Sequence, residues 1–131
     1  RAYFAHHTPH GLHSAYLFGS HAEERAHRES DVDVGILLDR KLYPTARDRF
    51  EVRVRLGSEL VHALGTSEVD VVVLNDAPPE LGRAVVTRGV RVYCGDAEAD
   101  HRYVRDVQLR AADLAPFLRR TRKTKLKALR S

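Results

Sequence analysis

The stretch GSHAEERAHRESDVD, from Gly19 to Asp33, is the most informative part of the chain. Ten residues separate the small-residue turn Gly19-Ser20 from Asp31, and Asp33 follows two positions later. The two acids lie in a strand-like segment, where side chains at i and i+2 point to the same face. Two carboxylates at such a short distance repel each other unless a cation lies between them. The pattern therefore predicts a divalent metal site, with a bound anionic group resting on the Gly-Ser turn.

A third acid, Asp70, lies inside the apolar run EVDVVVLN, between Val69 and Val71. Carboxylates are rarely buried without a partner. If the second and third strands are neighbours, Asp70 joins Asp31 and Asp33 in an oxygen-rich site suited to Mg²⁺ or Mn²⁺. Two such ions, roughly 3.5–4 Å apart, clamp the attacking and leaving oxygens of a phosphoryl transfer. The alternative for Asp70 alone is a half-exposed residue at a sheet edge.

Hydrophobic periodicity predicts an α/β (α+β) chain in which short strands alternate with helices. The segment 45–64 is ambiguous, because Phe50, Val52, Val54 and Leu56 alternate as in a strand. Its length and the stop at Gly65 favour a helix, and the alternating apolar residues are expected to pack in the core. The predicted strands are 13–18, 30–38, 68–75 and 90–94. The predicted helices are 22–28, 45–64, 79–88 and a last one from residue 96 onward. This last helix has an apolar stripe and a kink at Pro116; the stripe consists of Tyr103, Val107, Ala111, Leu114 and Leu118.

The spacing GS-x10-D-x-D resembles the signature of the DNA polymerase β superfamily of nucleotidyltransferases. Over roughly residues 13–95 the chain is similar to the minimal nucleotidyltransferase (MNT) group of that superfamily. The resemblance implies a polymerase β-like nucleotidyltransferase fold, that is, a small mixed β-sheet flanked by helices that pack mainly on one face. It implies that Gly19 and Ser20 bind the triphosphate of ATP. It also implies that Asp31 and Asp33 hold two Mg²⁺ ions and that Asp70 is the third carboxylate, which orients the acceptor hydroxyl. The implied reaction is transfer of AMP from ATP with release of pyrophosphate.

Members of the MNT group are commonly antitoxins beside a HEPN-type ribonuclease toxin. The resemblance therefore implies a HEPN toxin as partner, a tyrosine hydroxyl on it as acceptor, and a homo- or hetero-oligomer. The chain departs from the group after Gly-Ser, where His21, Glu23 and Glu24 replace the usual basic and glycine residues. Two other functions stay open: a binding module that neutralises its partner by contact, and nucleotide transfer to RNA.

The net charge of +4 conceals a basic C-terminal tail. Residues 117–131 carry seven Lys/Arg and no acid, whereas the remaining 116 residues carry 15 basic and 18 acidic groups. Such a tail meets nucleic acid, an acidic partner protein or only water. A chain of 131 residues is expected to form a single domain over 1–131, with the helical tail starting at about 117.

Cys94 is the only cysteine, which excludes an internal disulfide and predicts a small buried apolar residue. No apolar run approaches the roughly 20 residues of a membrane span, so a cytoplasmic protein is expected. The group His6, His7, His10 and His13 fits no standard metal-ligand spacing, and an exposed loop is expected there.

Overall fold

A computed structural model of the chain describes residue 4 and residues 10–18, 32–65 and 68–112. In these ranges four strands form one mixed sheet in the order β3-β2-β1-β4. Strand β1 pairs antiparallel with β2 and β4, and β2 pairs in parallel with β3. The elements are β1 (Leu12–Phe18), β2 (Val32–Leu38), α1 (Ala46–Leu64), β3 (Val69–Val73), a 3-10 turn (Leu74–Asp76), α2 (Pro79–Arg88), β4 (Val90–Cys94) and α3 (residues 97–112).

Helix α1 begins and ends where local chemistry dictates. The Thr45 hydroxyl accepts the Asp48 N–H at 3.0 Å, and the Asp48 carboxylate accepts the Thr45 N–H in return, which forms a capping box. Gly65 ends the helix in the left-handed conformation, with φ of 67°. The prediction of a helix over this ambiguous segment is confirmed.

The alternating apolar residues of α1 divide between core and solvent. Val52 and Leu56 are buried, but Phe50 and Val54 are each 55% exposed, so the expectation that all four pack in the core is wrong. Positions two apart on a helix point about 200° apart, so only one of the alternating pairs reaches the sheet.

Both faces of the sheet are covered, which explains why every residue of β2 is buried. On one face Val34 and Ile36 pack with Val52, Leu56 and Leu60 of α1. On the other face Leu37 packs with Leu74, with Val85 of α2 and beside Tyr103 of α3. The prediction of a mixed sheet flanked by helices is confirmed, whereas the prediction that the helices pack mainly on one face is wrong.

Strand β3 ends at Val73, earlier than predicted, because the Asn75 side chain takes the place of the β3 backbone in hydrogen bonding to the end of β2. Asn75 Oδ1 accepts the Leu38 N–H at 2.9 Å, and Asn75 Nδ2 donates to the Leu38 carbonyl at 2.8 Å. These two bonds satisfy the end of β2, and the main chain turns away at Leu74.

Other sequence expectations have separate outcomes. Cys94 at the end of the edge strand β4 is exposed, so the prediction of a buried thiol is wrong. In α3, Val107 and Ala111 are buried as expected. No helix in the described part of the chain is long and apolar enough to cross a membrane. The segment 22–28, Leu114, Pro116, Leu118 and the basic tail lie outside the described residues.

Candidate functional site

The predicted acids Asp33 and Asp70 are direct neighbours in the sheet. They are register partners in the parallel pairing of β2 with β3. Register partners in a parallel pair project to the same face, here the face opposite α1, because the adjacent partners Val34 and Val71 both pack in the α1 core. The expectation that the second and third strands are adjacent is confirmed, and it brings two carboxylate-bearing residues together.

The two acids differ in exposure. Asp33 is only 3% exposed, because β2 is an interior strand. Asp70 is on the edge strand β3, and its side chain is 50% exposed. Arg53 of α1 lies close to Asp70, with its Nη2 at 3.8 Å from Asp70 Oδ1. The half-exposed edge position considered for Asp70 is therefore observed together with its pairing to Asp33.

Asp31, Gly19 and Ser20 lie outside the described residues, but the chain on both sides of them is described. Phe18, which immediately precedes Gly19, is the register partner of Asp33 on β1. Val32, which immediately follows Asp31, is the register partner of Val69. The described residues on either side of this segment, Phe18 and Val32, thus lie at the same end of the sheet as Asp33.

The chemistry of the acid pair fits an oxygen-preferring divalent cation. Carboxylate oxygens are the ligands that Mg²⁺ selects, and a buried carboxylate on a rigid strand offers a fixed donor. In the described ranges no group of three or more His, Cys, Asp or Glu side chains could hold a metal ion. The third predicted ligand, Asp31, falls outside those ranges.

A buried polar network that sequence reasoning missed anchors β1 and β4 to α3. The Tyr16 hydroxyl donates to Asp100 Oδ1 at 2.6 Å, and Arg91 Nη1 donates to Asp100 Oδ2 at 2.9 Å. Asp100 is 1% exposed. Burial, and then the bond to Asp100, raise the pKa of Tyr16 above its ordinary value. The signal was present in the sequence, because Asp100 has helical spacing with Tyr103, Val107 and Ala111 and so lies on the apolar stripe.

A second buried charge was also missed. Arg49 is 5% exposed and donates through Nε and Nη2 to the two oxygens of Asp76, both at 2.9 Å, and through Nη1 to the Tyr43 carbonyl at 2.8 Å. The hydrogen bond to Asp76 raises the pKa of the guanidinium. This bidentate pair ties α1 to the turn after β3.

The sequence matches the family described as Polymerase beta, Nucleotidyltransferase, over residues 2–98. The chain belongs to this family, which agrees with the mixed sheet and with the resemblance drawn from the GS-x10-D-x-D spacing.

The chain is also similar to individual proteins and solved structures. The chain is 37% identical over 78 residues to the protein adenylyltransferase MntA of Shewanella oneidensis, a match that spans 60% of this chain and 51%, about half, of that protein. Among solved structures, a toxin-antitoxin with AMP-PNP is 25% identical, with a TM-score of 0.62 over 99% of this chain and 94% of that one. A tri-AMPylated Shewanella oneidensis HEPN toxin in complex with MNT antitoxin is 23% identical, with a TM-score of 0.60 over 94% and 87%, and shows the same fold.

Proposed function

We propose that the chain is an Mg²⁺-dependent nucleotidyltransferase that moves AMP from ATP to a tyrosine hydroxyl of a HEPN-type toxin and thereby acts as an antitoxin. The observation that carries the proposal is the register pairing of Asp33 with Asp70 on adjacent parallel strands of a nucleotidyltransferase-family domain. Support also comes from similarity to a protein adenylyltransferase and to a toxin-antitoxin with AMP-PNP. We further infer that residues 1–131 form a single domain and that the protein works in the cytoplasm.

The carboxylates divide the work according to their environments. Asp33, buried on an interior strand, and Asp31 are the ligands that would hold two Mg²⁺ ions. When bound, the ions neutralise charge on the triphosphate and on the transferred phosphoryl group. Gly19 and Ser20 would receive the triphosphate, because a glycine turn lets backbone N–H groups approach phosphate oxygens.

In this proposal Asp70 meets the acceptor rather than the nucleotide. Its half-exposed side chain at the sheet edge is reachable by a group on a second protein. In the proposed step the hydroxyl oxygen bonds to the α-phosphorus while the bond from that phosphorus to the pyrophosphate oxygen breaks. Asp70 orients the hydroxyl and accepts its proton. Catalysis is then mainly a matter of alignment and charge stabilisation.

Neutralisation by contact alone is the second candidate. Glu23 and Glu24 favour it, because acids that follow the Gly-Ser turn would repel a triphosphate. Transfer to RNA is a third outcome that one assay can separate from the other two.

The test combines the purified chain, α-labelled ATP, Mg²⁺ and the HEPN-type protein encoded beside it. We expect label on the toxin, and a fall of roughly a hundredfold or more in Asp33→Asn and Asp70→Asn. Glu51→Gln, which removes an exposed acid on α1, is the matched control and should label normally. Replacing the acceptor tyrosine by Phe should abolish labelling.

The outcomes separate the candidates. A tight complex without label supports neutralisation by contact, and label recovered on RNA supports the RNA acceptor. Undiminished labelling by Asp33→Asn would remove the assignment of the carboxylate pair. Labelling that persists in EDTA would remove the dependence on Mg²⁺.

A further inference from the structure

A cleft of about 580 Å³ lies at the opposite end of β2 from Asp33. Leu37, Leu74 and Val107 form its apolar floor, between the ends of β2 and β3 and helix α3. Asp39 on its rim is six residues along the chain from Asp33, roughly 20 Å at strand rise. The volume falls within the roughly 300–1,000 Å³ of small-molecule sites. The cleft is therefore a separate concavity from the carboxylate pair.

Positive charge surrounds this cleft. Its lining includes Arg40, Lys41, Arg102 and Arg110, against two acids, Asp39 and Asp106. Asp106 is paired with an arginine, whereas Asp39 keeps its negative charge, so the four cations outnumber the acids by two. Asp39 accepts the Lys41 N–H at 2.8 Å and lies 4.0 Å from His13, and the Asp106 carboxylate lies 3.2 Å from Arg110 Nε.

Three of the cations that line the cleft form no close ion pair in the described part of the chain, although a backbone hydrogen bond and, to a smaller extent, the charge of Arg102 lower the pKa of Asp96. Across the described ranges, Arg40, Lys41 and Arg102 form no ion pair with a carboxylate within 4.0 Å. Arg40 is nevertheless held in place, because its Nη2 donates to the Asn75 carbonyl at 3.1 Å. A carbonyl orients a guanidinium but does not cancel its charge, so the arrangement favours an anionic ligand.

We propose that this cleft binds the phosphate and base of a nucleotide, either free or as part of an RNA strand, at a site distinct from the proposed transfer centre. The arginines suit phosphate oxygens, and the apolar floor beside Tyr103 suits a flat base. A single carboxylate of an acidic peptide would leave most of the floor uncovered.

The test measures binding by fluorescence anisotropy in EDTA, which suppresses Mg²⁺-dependent binding at the transfer centre. The probes are a labelled single-stranded RNA of about 12 nucleotides and a labelled ADP, at about 50 and 200 mM salt. We expect Lys41→Ala/Arg102→Ala to weaken binding about tenfold or more and to reduce the salt dependence. The matched control, Arg47→Ala/Arg83→Ala, removes the same charge from exposed sites outside the cleft and should change binding less than about twofold.

Binding of both probes identifies a mononucleotide site, and binding of RNA alone identifies an RNA site; both support the proposal. It is overturned if neither probe binds at millimolar concentration, if the two double variants weaken binding equally, or if polyglutamate competes as well as RNA. Thermal unfolding followed by circular dichroism verifies that the variants fold. The cleft variant should retain AMP transfer to the toxin, so failure of either proposal leaves the other standing.

Discussion

Removing the Tyr16 hydroxyl tests whether the Tyr16–Asp100–Arg91 network holds the sheet to α3. Tyr16→Phe keeps the ring, which is 4% exposed, and deletes only the bond of 2.6 Å to Asp100. Asp100 keeps its second oxygen on Arg91 at 2.9 Å, but Oδ1 loses this donor inside a site that is 1% exposed. The substitution therefore isolates one buried, charge-assisted hydrogen bond.

The expected cost follows from that environment. A hydrogen bond to a charged group contributes about 1.5–3 kcal/mol, and Asp100 is too buried for water to replace the lost donor. We expect Tyr16→Phe to lower the free energy of unfolding by about 2 kcal/mol. For a chain of this size the midpoint of thermal unfolding should fall by about 7 °C.

Chemical and thermal unfolding, followed by circular dichroism, measure this loss. Tyr43→Phe is the matched control, because its hydroxyl donates to the His10 carbonyl at 2.5 Å in an exposed setting. The control should lose less than about 1 kcal/mol. If the two variants lose equal stability, or if Tyr16→Phe is as stable as the parent chain, the network does not anchor the fold.

Three further predictions concern other contacts of the core. Asp76→Ala leaves the buried Arg49 without its carboxylate and should cost about 2–3 kcal/mol in urea unfolding, below a fully buried pair because Asp76 is 39% exposed. Gly82→Ala should cost about 1–3 kcal/mol in the same assay, because its Cβ would overlap the Tyr103 hydroxyl and lie 2.9 Å from Val107 Cγ2. Burial, and then the charge of Asp106, raise the pKa of Tyr103 from 10.0 to about 12. The neutral tyrosine therefore stabilises the folded state fully below pH 10, and this contribution is lost as the pH rises from 10 to 12. In Tyr103→Phe the free energy of unfolding should fall less over that range.

Matched substitutions make these predictions refutable. Glu51→Ala removes an exposed partner of Arg47 at 3.7 Å and should change stability by less than about 0.5 kcal/mol; a cost equal to that of Asp76→Ala would contradict the buried clamp. Gly57→Ala places its Cβ 3.5 Å from Val71 Cγ2, an ordinary contact, and should gain about 0.5–1 kcal/mol. The same sign at both glycines would refute the steric argument. If the free energy of unfolding of Tyr103→Phe falls between pH 10 and 12 as steeply as that of the parent chain, the argument from the pKa of Tyr103 is refuted.

The elements of the fold were largely predictable because their signals are local. Thr45, Asp48 and Gly65 mark the limits of α1 in the sequence itself, and β4 was predicted at its observed bounds. The early end of β3 was not predictable, because it depends on Asn75 pairing with Leu38 of another strand. Coverage of both sheet faces was missed although Ile36, Leu37 and Leu38 form a continuous apolar run, which is typical of an interior strand.

The site was predictable only in part. Spacing within one strand relates Asp31 to Asp33, but the register of Asp70 is set by tertiary packing across the α1 crossover. The sequence therefore supplied the candidates, and the structure supplied the pairing of two of them. Buried charges such as Asp100 and Arg49 escaped notice because charged residues are expected at the surface, even when their spacing matches an apolar stripe.

The parallel pairing of β2 with β3 has a consequence for synthesis on the ribosome. Parallel neighbours need a long crossover, here built on α1, so Asp33 meets Asp70 only after α1 and β3 have both been made. A nascent chain that stops before Val69 carries Asp33 but lacks its register partner Asp70. Any activity that depends on this acid pair can therefore begin only after translation has passed β3.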